Sequence, residues 1–242
     1  MSTPVINAIE NVNQTSLNNL FTSIAQNQTA RDNLSRSDRN IDKVSTNVGV
    51  IEALNNSEDA IRKILCRREG KNPSNFSTLD SVADDQNLMQ SISARQTSSK
   101  ILAGSQKAIT ASLASQTARQ EIVSSQTAMQ EVADSQTAMQ EVADSQTAMQ
   151  EVINSQTALT EVINSQTALT EVADSQTAMQ EVASSQTALT EVINSQTALT
   201  EVVNSQTAMQ EVASSQTAMQ EVASSQNAMQ DIADSQTAMQ EV

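Results

Sequence analysis

The chain has 242 residues, a formal net charge of −15, no Trp, Tyr or His, and only Phe21 and Phe76 as aromatics. Large globular cores draw much of their buried area from aromatic side chains, so a thick core is excluded and Met, Leu, Ile, Val and Ala must do the packing. The single cysteine, Cys66, excludes an intrachain disulfide framework and reads as a plain small residue.

In chain order, Met1-Ser2-Thr3-Pro4 lacks a basic stretch followed by an apolar core, so no secretory signal is expected. Residues 1–16 follow no period and form an N-terminal segment. Residues 17–66 hold degenerate ten-residue units. Leu17 leads to Leu20, Phe21 and Ile24, Asn27 to Ala30 and Leu34, Ser37 to Ile41 and Val44, Asn47 to Ile51 and Leu54, and Ser57 to Ala60, Ile61 and Ile64. A loop is predicted at 67–74, where Gly70 and Asn72-Pro73 are turn formers. Degenerate units return over 75–124. Asn75 opens one with Leu79 and Val82, Asp85 one with Leu88, Met89 and Ile92, and Ser105 one with Ala108 and Ile109.

From Ser125 to Val242 the unit is nearly perfect. Its clearest form is Ser-Gln-Thr-Ala-Met-Gln-Glu-Val-Ala-Asp at Ser135 to Asp144. With Ser135 as position 1, position 4 is Ala, position 5 is Met or Leu, position 8 is Val or Ile, and position 10 is Asp, Asn or Ser. A fixed short period marks a repeat architecture. Residues 125–242 are therefore expected to form a shaft.

The unit favours helix. Ala, Met, Gln, Glu and Leu at positions 4 to 7 are good helix formers, and positions 4, 5, 8 and 9 fall on one helical face. The alternation of a strand is absent. Ser at position 1 can cap a helix N-terminus, as can Asp or Asn at position 10. Asp and Asn also tolerate the left-handed conformation that ends many helices.

Two helical architectures compete. In a continuous helix, ten residues at about 100° each leave the apolar stripe drifting by about 80° per unit. Following that drift needs a supercoil of roughly 67 Å pitch at 1.5 Å per residue, against about 140–210 Å for two-stranded coiled coils. An overwound coiled coil is strained. In the other architecture each unit is one short helix ended by a turn at positions 10 and 1, and successive helices fold into an α-solenoid. The expected fold is therefore all-α, an elongated solenoid of short helices, although the scarcity of Gly at the junctions counts against it. Helices this short are unstable alone, so each unit must lean on its neighbours. The expected core residues are Met129, Met139, Met149, Leu159, Leu169, Val132, Val142, Ile61 and Ile64. Leu alternates with Met at position 5, which marks a packing slot and not a ligand.

Charge is unevenly placed. Residues 120–242 hold 17 acids and no base, which leaves 11 acids and 13 bases, or +2, for residues 1–119. An acidic shaft repels nucleic acid and anionic membranes. No apolar run approaches the roughly 18 residues of a membrane-spanning helix. The basic residues Arg62, Lys63, Arg67 and Arg68 are candidates for docking to an acidic partner, though a solvated charge cluster is the plainer reading. Without His, with one Cys and with repeated Glu residues ten apart, no metal, cofactor or catalytic residue is expected. An enzyme is the least expected class.

The run Ser-Gln-Thr-Ala-Met-Gln-Glu-Val-Ala-Asp resembles the Ser-x-Thr-Ala-Met-x-x-Val decapeptide arrays of tail-fibre and other virion proteins of tailed bacteriophages. The resemblance covers Ser125 to Val242 closely and Leu17 to Arg119 loosely, and similar arrays occur in bacterial surface proteins. It implies a virion fibre or appendage without catalytic residues. The N-terminal part would dock to other virion proteins of the tail, baseplate or capsid, and the shaft would project. A homo-oligomer, with a trimer foremost, is expected. The alternatives are an adhesin or repeat scaffold at the bacterial cell surface, and an intracellular solenoid that binds a protein partner. Val242 falls in mid-unit without a polar capping repeat, so a continuation of the chain is expected.

Overall fold

The structure, a computed structural model, describes residues 58–235 and 238–241. The segment 1–16 and the units predicted to open at Leu17, Asn27, Ser37 and Asn47 lie outside the described residues. The described chain begins with α1 (Glu58–Arg68), a 3-10 turn (Pro73–Asn75), α2 (Leu79–Ala83), α3 (Gln86–Ser93), α4 (Gln96–Ala103), α5 (Gln106–Ala114) and α6 (Gln116–Ser124). There follow α7 (Gln126–Ala133), α8 (Gln136–Asp144), α9 (Gln146–Asn154), α10 (Gln156–Asn164), α11 (Gln166–Asp174) and α12 (Gln176–Ser184). The remainder are α13 (Gln186–Asn194), α14 (Gln196–Asn204), α15 (Gln206–Ser214), α16 (Gln216–Ser224), α17 (Gln226–Asp234) and α18 (Ala238–Glu241). Among the described residues there is no strand. The chain divides into two units between Ile122 and Val123.

In the second unit the helix restarts every ten residues, so the continuous-helix alternative is overturned. The break is one residue wide. Ser145 ends α8 and begins α9 in an extended conformation, φ −102° and ψ 107°. The turn is thus narrower than expected, because position 10 stays helical from α8 to α17. The helices also do not end in the left-handed region: among the described residues no non-glycine has positive φ. An extended φ is open to any L-residue, which removes the objection raised by the scarcity of Gly.

Serine suits this junction because it serves four partners. The Ser175 N–H donates to Val172 O at 3.2 Å, and Ser175 O accepts from Met179 N at 3.0 Å. Its Oγ accepts from Ala178 N at 3.3 Å and donates to Ala143 O at 2.9 Å. Helix termini strand N–H groups at one end and C=O groups at the other. One hydroxyl here satisfies an N–H of its own helix and a C=O of a helix 32 residues back. The same double bond is made by Ser155, Ser165, Ser205, Ser215 and Ser235.

That return distance defines the solenoid. Helices pack on the one three further on, most extensively α7 on α10, α8 on α11 and α12 on α15. A turn of the solenoid therefore takes about three helices. Positions 4, 5 and 8 face inward, and Met129, Met139, Met149, Leu159, Leu169, Val132 and Val142 are all buried. The cover over position 5 comes from the following turn. Met209, beneath α18, is 0% exposed, whereas Met229 and Met239, in the last described helices, are 50% and 60% exposed.

Loss of a junction hydroxyl should therefore cost more than loss of a cap. Ser175→Ala is expected to cost about 2 kcal/mol, the sum of an N-cap and one further hydrogen bond. Ser175→Asp keeps the capping acceptor but has no proton to donate, so about half of that loss should remain. Urea unfolding followed by circular dichroism measures both. Asp as damaging as Ala would remove the N-cap from the account; Asp as good as Ser would remove the inter-turn bond.

The first unit uses the same stacking with less regular joints. α1 packs on α4, and α2 packs on α5. Ser115 Oγ donates to Ala83 O at 3.0 Å. Ile61 and Ile64 are buried. The predicted loop is shorter at its start, since α1 continues through Arg68. It stops in a Schellman arrangement: Lys71 N donates to Cys66 O at 2.8 Å and Gly70 N to Arg67 O at 3.1 Å. Gly70 takes φ +67° there, a region without penalty only for glycine. Asn75 does not open the next helix. Pro73-Ser74-Asn75 closes a 3-10 turn, and Thr78 caps α2 through a capping box with Ser81.

Candidate functional site

The chemistry on offer is distributed along the second unit and does not converge on one point. Positions 2, 6 and 10 of its units are exposed, and the Glu at position 7 is partly covered. Gln at position 2 donates to the position-7 acid one turn on. Gln136 Nε2 reaches Glu171 Oε1 at 2.9 Å, Gln146 reaches Glu181 at 2.7 Å, and Gln186 reaches Glu221 at 2.8 Å. Where Asp231 replaces Glu, Gln196 still reaches it at 2.7 Å. These ladders fix carboxylates that would otherwise move freely, and they add a second set of bonds between turns.

Thr at position 6 turns its hydroxyl back on its own helix. Thr160 Oγ1 donates to Gln156 O at 2.7 Å and Thr200 Oγ1 to Gln196 O at 2.7 Å. Leu at position 5 faces the core while Thr at position 6 faces solvent. Nothing in the structure couples the two, so their joint appearance is explained by copying of whole units.

The basic cluster of the first unit separates on inspection. Arg62 is buried, which corrects its reading as a docking residue. Its Nη1 donates to Pro73 O at 2.5 Å and Phe76 O at 2.6 Å, and its Nη2 to Asp59 Oδ1 at 2.6 Å. It therefore ties α1 to the loop, where Pro73 O also accepts from Phe76 N at 3.2 Å. Lys63 is half-buried and lies 2.9 Å from Asp59 Oδ2. Arg68 is half-buried, and Arg67 is exposed. The signal for the role of Arg62 is the face it shares with the buried Leu65 and Cys66, three and four residues on, with a turn to be held downstream.

An open groove of about 440 Å3 in the first unit is lined by Glu58, Leu79, Asp80, Lys107 and Thr110 among others. Glu58 Oε1 is engaged there by Leu79 N at 3.1 Å. Among the described residues no group of three His, Cys, Asp or Glu side chains is placed to hold a metal ion. No helix among them is long and apolar enough to cross a membrane.

Cys66 is fully covered. Burial pushes its thiol up to about 11, so the nucleophilic thiolate is scarce at neutral pH. The native chain is expected to resist iodoacetamide at about pH 8 and to label promptly once urea exposes the thiol. Mass spectrometry reads the difference; prompt labelling without urea would contradict the burial.

No family model matches the chain, and no curated protein matches it. The geometry shows an all-α repeat protein whose exterior repeats the same polar groups turn after turn.

Proposed function

We propose that the chain is a structural fibre or appendage of a bacteriophage virion. The observation that carries this reading is the recurrence of the joints. The turns of the second unit are joined by the same Gln-to-acid bonds throughout and by Ser-to-carbonyl bonds at Ser155, Ser165, Ser175, Ser205, Ser215 and Ser235, so units add length without adding a new kind of contact. A repeating structure of this kind serves reach and spacing better than it serves a unique reaction centre. The resemblance of Ser125 to Val242 to virion decapeptide arrays points the same way.

In this reading residues 1–119, which hold all 13 basic residues, dock to other virion proteins, and the acidic shaft projects. Arg67 is the exposed member of the basic cluster and the residue of that cluster available for docking. The excess of acid keeps the shaft from nucleic acid and anionic membranes. The shaft works as a homo-oligomer. Electron microscopy of particles labelled at this chain tests the proposal. Label on projecting appendages is the expected result; label found in the host cell and missing from purified particles would overturn it.

A further inference from the structure

Within the second unit the hydroxyl bond between turns is made at some joints and missing at others, and the side chain at position 9 of the earlier turn decides which. The carbonyls that receive it belong to Val123, Ala133, Ala143, Ala173, Ala183 and Val203. The carbonyls that would complete the series belong to Ile153, Ile163 and Ile193. Opposite them Ser185, Ser195 and Ser225 still cap their own helices, each accepting from an alanine N at 3.3 Å. Among the described residues, these three hydroxyls donate to no carbonyl of the earlier turn. The capping geometry is unchanged, so the serine is not the cause.

Size is the cause. Position 9 borders the joint, and packed interiors leave little spare volume. Alanine fits, with Ala143 1% and Ala173 3% exposed. Isoleucine is pushed outward: Ile163 is 9% exposed and Ile193 is half-buried. Valine still permits the bond, at 2.6 Å to Val123 O and 2.7 Å to Val203 O. The methylene that separates isoleucine from valine therefore props the turns apart. The packing agrees. α10 and α13 both carry Ile at position 9, and of the helix pairs three apart in the second unit they pack least extensively.

The open joints are aligned. Ser195 and Ser225 follow one another in the column that stacks α10, α13 and α16. The column that stacks α8, α11, α14 and α17 is bonded throughout, by Ser175, Ser205 and Ser235. The sequence explains the alignment. Residues 155–184 and 185–214 are the same except at Ala173/Val203 and Asp174/Asn204. The copied block is one whole turn, so Ile193 returns to the column of Ile163. The Gln-to-acid ladder continues past the open joints, with Gln156 on Glu191 at 3.3 Å and Gln186 on Glu221 at 2.8 Å, and it keeps the turns in register.

We propose that the second unit bends in one direction, opening along α10, α13 and α16 and pivoting on the bonded column of α8, α11, α14 and α17. A seam with fewer bonds and less packing opens at lower cost than its neighbours, and the long side chains of the ladder follow the motion. The hinge belongs to the solenoid itself and does not depend on attachment to a virion.

Distances between paired spin labels, measured by electron double resonance on the full chain, test the hinge. Thr160→Cys with Thr190→Cys spans α10 and α13; Thr170→Cys with Thr200→Cys spans α11 and α14. All four threonines are exposed at position 6, and the native Cys66 is buried. The first pair should give the broader distance distribution, and Ile163→Ala with Ile193→Ala should narrow it to the width of the second. Alanine is the common residue at position 9, and circular dichroism verifies that each variant is folded. Equal widths without the alanines would overturn the hinge. A broad distribution that the alanines leave unchanged would overturn position 9 as its cause. Urea unfolding gives a readout without labels. Ser195→Ala should lower the folding equilibrium constant about fivefold less than Ser175→Ala, because one hydrogen bond of about 1 kcal/mol is already missing there. With both alanines present the two serine substitutions should cost the same. Equal costs in their absence would contradict the open joint.

Discussion

Arg62→Ala is expected to destabilise the first unit by about 2 kcal/mol, since a buried carbonyl that loses its donor costs about 1–3 kcal/mol and Phe76 O loses the guanidinium while Pro73 O keeps the Phe76 N–H. The guanidinium meets Pro73 O, Phe76 O and Asp59 at once. Asp59 is 37% exposed on its side chain, so the ion pair contributes less than a fully buried one would, and the Phe76 carbonyl dominates. Arg62→Lys should recover little, because one ammonium cannot reproduce the planar fork. The measurement is thermal and urea unfolding of the full chain, with limited proteolysis around Gly70 as a local readout. A loss below about 0.5 kcal/mol, the range of ordinary surface changes, would show that the loop is held by other contacts.

The same cluster sets a pH dependence. Burial by itself raises the Asp59 carboxyl, but hydrogen bonds from Lys63 and Arg62 and their positive charge outweigh it and hold the group below its ordinary value. A depressed acid stabilises the fold fully above its unfolded value, about 3.9. That contribution is lost as pH falls through the lower folded value. Asp59→Asn should therefore cost stability at neutral pH and cost none in strong acid.

Leu189→Ala is expected to cost about 3 kcal/mol, within the range of about 2–5 kcal/mol for buried leucines. Leu189 is buried on the inner face of α13. Met209→Leu should stay below about 1.5 kcal/mol, since Leu and Met are close in volume and the chain uses both at this position. Met229→Ala should cost under about 1 kcal/mol, because that side chain is already half exposed. Ala188→Leu should cost about 1–3 kcal/mol by overpacking. Position 4 is 0% exposed at Ala138, Ala158, Ala168, Ala178, Ala188, Ala198, Ala208 and Ala218, so no room remains beyond a methyl group. Equal costs for Leu189→Ala and Met229→Ala would contradict burial by the following turn.

Much of the fold was legible in the residues. The period of ten, the helical face at positions 4, 5, 8 and 9, and the capping role of Ser at position 1 all follow from local chemistry, and all are present in the second unit. The joint itself was less legible. Asp and Asn at position 10 suggested a two-residue turn with a left-handed end, yet a single extended serine suffices. Its hydroxyl proton reaches a carbonyl 32 residues back, and no local pattern announces that partner. Arg62 was misread for a related reason. Charge in a sequence points to solvent by default, and only the Pro73 and Phe76 carbonyls explain why a guanidinium is worth burying.

The sequence by itself determined that this protein is helical, repetitive, thin-cored and acidic along its second half, because propensity, periodicity and charge act over ten residues or fewer. The tertiary structure decided the number of helices in a turn. That number sets which serine meets which carbonyl, which glutamine holds which acid, and which helices stack on one another. The physical reason is that these pairings lie 32 and 35 residues apart, where the return of the solenoid brings together groups that a ten-residue period treats as equivalent.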